Sequence, residues 1–213
     1  MTKIILPTMM QAKVINKPKD KRVIVIDTGY RSGKSTALLF KALQSECRDC
    51  TIINPTYKSA ENAFQEAYKL LQPMGFRASF NSLILSNDKF NKKIKFIGDH
   101  DCESMSGLSR ELVMFDNTDT CDKETIYHQS RKAKDLVFTV DSLSGSFIKY
   151  KPDYDEDGTV IPNRFIVDYK ESHWSVILLE GIYLEPTDSS LSKGIYSGMY
   201  RDDVYLVRGS SFG

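Results

Sequence analysis

Three observations predict an α/β fold with a mainly parallel central sheet flanked by helices. β-branched runs alternate with helical stretches through the first two thirds of the chain. Arg22 to Ile26 reads as a buried strand that breaks into a short glycine-containing turn and then Ala37-Leu38-Leu39-Phe40, an apolar helical stretch. A second apolar run, Leu112-Val113-Met114-Phe115, ends in Asp116. A central strand of that kind delivers its acid to the carboxyl edge of an open sheet, where ligands bind.

The turn between the first strand and helix is a phosphate-binding loop. Strand before and helix after are the context that Gly33-Lys34-Ser35-Thr36 needs, because the turn then aims several backbone N–H groups at one point. Those donors and the positive end of the helix macrodipole favour a phosphate. Lys34 can reach the β and γ oxygens, and the Ser35 hydroxyl can ligate Mg²⁺. The expected nucleotide-binding segment is Thr28, Gly29, Tyr30, Arg31, Ser32, Gly33, Lys34, Ser35 and Thr36. It departs from G-x-x-x-x-G-K-[ST] at the first glycine, where Thr28 stands and Gly29 follows one place later. Nucleoside triphosphate handling is the first hypothesis.

Composition narrows the class. The chain has 213 residues, 41% hydrophobic and 27% charged, enough for one sizeable core. No apolar run approaches the roughly 20 residues of a membrane span, and MTKIILPTMM is too short and interrupted for a secretory signal, so a cytoplasmic protein is expected. A net charge of +1 excludes a chain basic enough to coat nucleic acid indiscriminately. Cys47 and Cys50 form one C-x-x-C, but Cys102 and Cys121 complete no zinc pattern, which leaves reduced thiols on a surface helix end and in loops. His100, His128 and His173 stand apart, without a hydrolase triad around them.

The remaining elements follow in order. Thr51 to Thr56 reads as a short strand ending in a turn, and Ser59 to Leu71 as a strong helix closed by Pro73 and Gly75. Phe80 to Ser86 and Lys93 to Ile97 read as a strand pair joined by Asn87-Asp88-Lys89. Thr125 to Lys134 is helical and Leu136 to Val140 another buried strand. In the final third, strands are expected at Phe165 to Tyr169 and Val176 to Leu179, and a helix near Leu191 to Tyr200. Asp153 to Gly158 imitates the start of a calcium loop, but position 12 is Arg164 where a bidentate Glu is required, so an acidic hairpin turn is expected.

Asp116 is the natural second half of the site, since a carboxylate beside the phosphates holds Mg²⁺ through its water shell. P-loop ATPases commonly place a glutamate next, to activate the attacking water; here Asn117 follows. An amide hydrogen-bonds water but takes no proton from it, and loss of a general base costs about 100- to 10,000-fold in rate, about 3 to 5 kcal/mol of barrier. Three explanations stand open: another acid such as Asp119 takes over, the residue is engineered to trap nucleotide, or the chain is a slow hydrolase.

These motifs, in this order, resemble the N-terminal ATPase domain of the large terminase subunit of tailed bacteriophages. Gln11, upstream of the loop, looks like that family's adenine-contacting glutamine. Thr28 to Ser35 is similar to its phosphate loop, with an arginine at Arg31. Asn54-Pro55-Thr56-Tyr57 resembles the segment after its second strand, and Phe96 to Asp99 with Ser106-Gly107-Leu108 the approach to its Walker B strand. Phe138-Thr139-Val140-Asp141-Ser142 resembles its coupling motif, and Pro186 through Gly213 its lid. The departures are Asn117 at the catalytic glutamate and a chain that stops at Gly213 without the family's nuclease domain.

The resemblance implies a P-loop NTPase core over residues 1–180 and a small C-terminal lid over 181–213. It implies ATP and Mg²⁺ as cofactors, with Ser35 and Asp116 as metal ligands and Lys34, Asp116, Asn117, Arg31 and Arg110 as catalytic candidates. Arg31 would act in cis, Arg110 toward a neighbouring subunit's nucleotide, and Thr139 and Ser142 would couple nucleotide state to motion. The implied work is translocation of double-stranded DNA into a procapsid in the host cytoplasm. The implied partners are a small terminase subunit, a portal protein and further copies in a ring, or a monomer in isolation. Lys17 to Arg22, Lys89 to Lys95 and Arg131 to Lys134 are the basic clusters for sequence-independent DNA contact. The rival reading is a P-loop module that assembles or regulates without appreciable hydrolysis, which Asn117 favours.

Overall fold

The computed structural model describes residues 7–19, 21–29, 31–105, 110–140, 150–167 and 204–209. Helix α1 (Met9–Ile15) precedes β1 (Val23–Thr28), α2 (Lys34–Gln44), β2 (Asp49–Asn54) and α3 (Tyr57–Leu71). A sheet extension follows, β3 (Arg77–Ser79), β4 (Ile84–Asn87) and β5 (Lys92–Gly98), then β6 (Arg110–Phe115), α4 (Lys123–Lys132) and β7 (Ala133–Val140). The last described elements are β8 (Tyr150–Tyr154), β9 (Val160–Val167) and β10 (Val204–Gly209). No described helix is long and apolar enough to cross a membrane.

Eight strands form one sheet in the order β10-β1-β7-β6-β2-β5-β4-β3. Neighbours from β10 to β5 run parallel, and β4 and β3 turn back antiparallel at one edge. All six parallel strands therefore end at the same edge, and β7 lies between the strand that feeds the phosphate loop and the strand that ends before Asp116.

Alternation sorts the side chains into two cores. Ile24, Ile26, Ile52, Met114 and Val137 pack on the face covered by α2 and α3. Val23, Val25, Ile53, Val113, Phe115 and Phe138 pack on the opposite face with Ile126 of α4, where Phe115 and Phe138 stack at 5.2 Å between centroids. Buried on both faces, these strands need unbroken apolar runs, as the sequence supplies.

Several basic residues of the expected DNA clusters are committed to structure. The Arg22 guanidinium donates to the carbonyls of Ser130, Ala133 and Lys134 at 3.0, 2.7 and 3.1 Å, tying the starts of β1 and β7 together. Lys17 pairs with Asp135. Lys92 is buried and donates to the carbonyls of Ser45 and Cys47.

Some expectations shift. The strand expected from Phe80 starts at Ile84, because Leu83 takes a left-handed φ of 50° that breaks the extended run, and the residues before it form β3 and a turn. Phe80 instead leans edge-on against Phe64 and Tyr68. All four cysteines are buried thiols rather than surface ones, and burial pushes the Cys50 thiol up to about 12. The strand expected at Phe165 to Tyr169 begins earlier, as β9, and pairs with β8. Between them is the expected acidic hairpin: Asp155 Oδ1 accepts from the N–H groups of Asp157 and Thr159, and Arg164 lies 2.8 Å from Asp153 across the pair.

The strand expected at Val176 to Leu179, the helix near Leu191 to Tyr200, and Ser106 to Leu108 lie outside the described residues. Of the segment 181–213 assigned to a lid, only 204–209 are described, and they form the sheet's edge strand beside β1.

Candidate functional site

The loop from Gly29 to Gly33 joins the carboxyl end of β1 to the first turn of α2. Arg31 and Gly33 both have left-handed backbones, φ 60° and 83°. Such residues curl successive N–H groups toward one concavity, the arrangement that binds anions. Gly33 caps α2, and a Cβ there would stand 2.9 Å from Gln11 Nε2, so this position needs glycine for its dihedral and for space. Thr28 is accommodated at the departed glycine position because its hydroxyl turns onto Ser32, 2.6 Å away, and closes the base of the loop.

Gln11 braces the loop from below. Its carboxamide accepts from the Thr8 N–H at 2.9 Å, completing a capping box on α1, and donates to the Gly33 carbonyl at 3.2 Å. Lys34 is buried, with its ammonium on the carbonyls of Thr28 and Gly29 at 2.5 and 3.1 Å. Both partners are neutral, so the cation's charge is not cancelled by them and acts on nearby anions, Asp116 among them.

Asp116 joins this loop. Ser35, the second residue of α2, donates to Asp116 Oδ2 at 2.7 Å, and Thr139 of β7 donates to Oδ1 at 3.1 Å. The Thr139 hydroxyl also accepts the Asn117 N–H at 2.8 Å. The strand between β1 and β6 thus supplies the group that fixes both the carboxylate and the residue after it. Asp116 is 4% exposed. Burial holds its carboxyl above the usual range, opposed by hydrogen bonds from Ser35 and Thr139, by the Lys34 charge, and by the Asn117 N–H.

The donor set fits magnesium. A hydroxyl and a buried carboxylate, both hard oxygens, converge at the phosphate loop, and no cluster of three or more His, Cys, Asp or Glu exists among the described residues. Mg²⁺ is usually held in this way, by one or two protein oxygens, with substrate phosphates and water supplying the rest.

Beside these groups a cleft of about 300 Å³ separates α2 from α3. Ser35, Asn54, Asp116 and Asn117 line it at the sheet edge, while Leu38, Ala63 and Leu70 are among its apolar walls. Asn117, φ 54°, caps a single 3₁₀ turn, Thr118–Thr120. Asp119, the acid expected as a substitute base, sits in that turn and does not line the cleft.

Solved structures resemble this chain. The large terminase of a thermophilic bacteriophage, in complex with ADP, matches with a TM-score of 0.50 at 17% identity over 62% of this chain. A second crystal form of that terminase gives 0.51 at 16% identity over the same share. The chain shares the P-loop NTPase fold of phage large terminases. The matched region spans 38% of the length of that terminase. The large terminase ATPase domain of Thermus phage P74-26 aligns over 79% of this chain and 78% of its own, with 16% identity and a TM-score of 0.46. No family model matches the sequence, and no curated protein does.

Within this terminase-type fold, Gln11, Thr28, Ser32, Gly33, Lys34, Ser35, Asp116, Asn117 and Thr139 gather at one sheet edge, as the hydrogen bonds above establish. Arg31 is exposed on the loop. Arg110 opens β6, in register with Ala133 at the start of β7, so it stands at the opposite edge and is not brought to this site. Tyr30 and Ser142 lie outside the described residues. Asn54, the last residue of β2, is a site residue to which the sequence attached no role. Its signal was an amide directly after Ile52-Ile53 and immediately before Pro55.

Proposed function

We propose that this chain is the ATPase motor domain of a viral genome-packaging terminase, binding Mg-ATP and coupling its hydrolysis to movement of double-stranded DNA into a procapsid. The observation that carries the reading is the 2.7 Å contact between Ser35 and Asp116 at the mouth of the phosphate loop. The shared fold supports it, as does the order of motifs along the chain.

The residues divide the work. Loop N–H groups and Lys34 take the β and γ phosphates. Ser35 and Asp116 would hold the magnesium ion, which when bound neutralises charge on the phosphate oxygens. Asn117 orients water by its amide without removing a proton. Thr139, bonded to both Asp116 and Asn117, moves with either and is the coupling residue of the described site. DNA contact would be through phosphate neutralisation by exposed lysines such as Lys19, Lys89, Lys93 and Lys134. A ring of copies, with a small terminase subunit and a portal, would sum their fields.

A steady-state phosphate-release assay tests the reading, with Lys34→Ala as control. Turnover that vanishes in the variant supports the motor. Asn117→Glu should raise turnover at least about tenfold, since a carboxylate there restores the missing base; an unchanged rate would contradict Asn117's place at the water. Tight Mg-ATP binding without turnover, even with DNA present, would favour a non-hydrolysing module, a reading that Asn117 and the placement of Asp119 outside the cleft also support.

A further inference from the structure

Across the carboxyl edge of the sheet, three polar residues stand side by side on the face covered by α2 and α3. Phe115 is in register with Phe138 on one side and with Ile53 on the other, all three in the opposite core. The next residue on each strand therefore turns to the α2 and α3 face: Thr139 on β7, Asp116 after β6, and Asn54 on β2. The Asp116 N–H donates to the Ile53 carbonyl at 2.8 Å, so the pairing carries past the end of β6. Adjacent strands are about 4.8 Å apart, which sets Asn54 directly beside the carboxylate.

Two members of this row are fully engaged. Thr139 binds Asp116 and Asn117, and Asp116 accepts from Thr139 and Ser35. The third is not. Asn54 is 2% exposed, and its Oδ1 has no hydrogen-bond partner. A buried carboxamide oxygen without a partner loses its hydration for no return, and natural structures keep few of them. This one lines the cleft that Ser35, Asp116 and Asn117 also line. Pro55 follows it and α3 starts two residues later, with Gly98 in register on β5 so close to Tyr57 that a Cβ would meet its N at 2.6 Å. The backbone beneath Asn54 is therefore clamped, and the amide is held in place rather than left over.

We infer that Asn54 is a further catalytic residue of the hydrolysis proposed above, its side-chain oxygen accepting a hydrogen bond from the attacking water. The inference rests on that functional reading. In the step, the water oxygen forms a bond to the γ phosphorus as the bond from phosphorus to the β-bridging oxygen breaks, and ADP leaves with that electron pair. Neither Asn54 nor Asn117 accepts a proton, so the water's proton passes to a γ-phosphoryl oxygen and the product is dihydrogen phosphate. Two amides, Asn54 from β2 and Asn117 from the end of β6, hold the water where other hydrolases use one carboxylate.

The test uses transition-state mimicry, so it does not depend on turnover. Affinity for Mg-ADP is measured with and without aluminium fluoride, for the wild type and Asn54→Ala. The wild type should gain affinity from aluminium fluoride. Asn54→Ala should lose about tenfold of that gain, the worth of one hydrogen bond, and keep its Mg-ADP affinity. Melting temperature separates catalysis from architecture: Asn54→Ala and the isosteric Asn54→Leu should melt no lower than wild type, because the oxygen they remove has no partner. A gain undiminished in Asn54→Ala overturns the inference and leaves the nucleotide site standing. So does a wild type that binds Mg-ADP but gains nothing from aluminium fluoride, or a fall of several degrees in both variants. A wild type that binds no Mg-ADP removes the functional reading and this inference together.

Discussion

Asp116→Asn should make the protein more stable while destroying the magnesium site proposed above. Burying a carboxylate costs several kcal/mol after relaxation. Ser35 and Thr139 each return about 1.5 to 3 kcal/mol as hydrogen bonds to a charged acceptor; when a neutral amide replaces the acid, one hydroxyl still donates to its oxygen and the other turns to accept from its Nδ2, so both bonds survive in weaker form. The balance favours asparagine by about 1 to 2 kcal/mol, or about 2 to 8 °C in Tm for a domain of this size. Because burial raises the folded-state pKa above the ordinary 3.8, the ionised acid binds protons more tightly in the folded chain than in the unfolded one. Wild-type stability therefore falls as pH rises from that ordinary value through the raised one, and is flat beyond it. The variant's advantage is complete once the pH has passed the raised value and fades as the medium is acidified toward 3.8. Thermal melts at neutral and acidic pH, with and without Mg²⁺ and ADP, check this. A variant that melts lower than wild type at neutral pH would refute the reasoning, since the carboxylate would then be a structural element.

Three further outcomes are expected. Thr139→Val strips the partner from both the Asn117 N–H and Asp116 Oδ1 and should cost about 2 to 4 kcal/mol in urea unfolding, with turnover reduced as well. Gly33→Ala forces a left-handed alanine, worth about 1 to 2 kcal/mol, against Gln11 Nε2; adding Gln11→Ala should recover the steric part in a double-mutant cycle and leave the backbone part. Arg22→Ala should cost about 1.5 to 3 kcal/mol through three abandoned carbonyls and leave Mg-ADP affinity unchanged by calorimetry, because Arg22 lies at the sheet edge away from the phosphate loop.

The parts of the fold legible in the sequence are those fixed by local pattern. The runs before the phosphate loop and before Asp116 are apolar on both faces, and only a central strand demands that. The loop itself carries its chemistry in adjacent residues. What the sequence hid depends on pairing across long separations. Val204–Gly209 has the same β-branched composition as many segments, and nothing local says that it lies beside β1. Arg110 adjoins the run that ends in Asp116 but opens β6 at the opposite edge from that acid, since a strand of six residues carries its termini to opposite edges of the sheet. Lys92 and Arg22 read as surface charge because carbonyls that accept from them, such as those of Ser45 and Ala133, belong to distant segments. Asn54 escaped for the same reason: its meaning comes from standing in register beside Asp116, a relation that only the sheet creates.

The central claim, that Ser35 and Asp116 share one magnesium ion beside a triphosphate, is tested most directly by calorimetric titration of ATP into the wild type and Ser35→Ala, with and without Mg²⁺. Wild-type affinity should rise when Mg²⁺ is present, and Ser35→Ala should lose that rise while still binding ATP through the loop and Lys34. Equal affinity with and without the metal in the wild type, or an undiminished metal effect in Ser35→Ala, would contradict it.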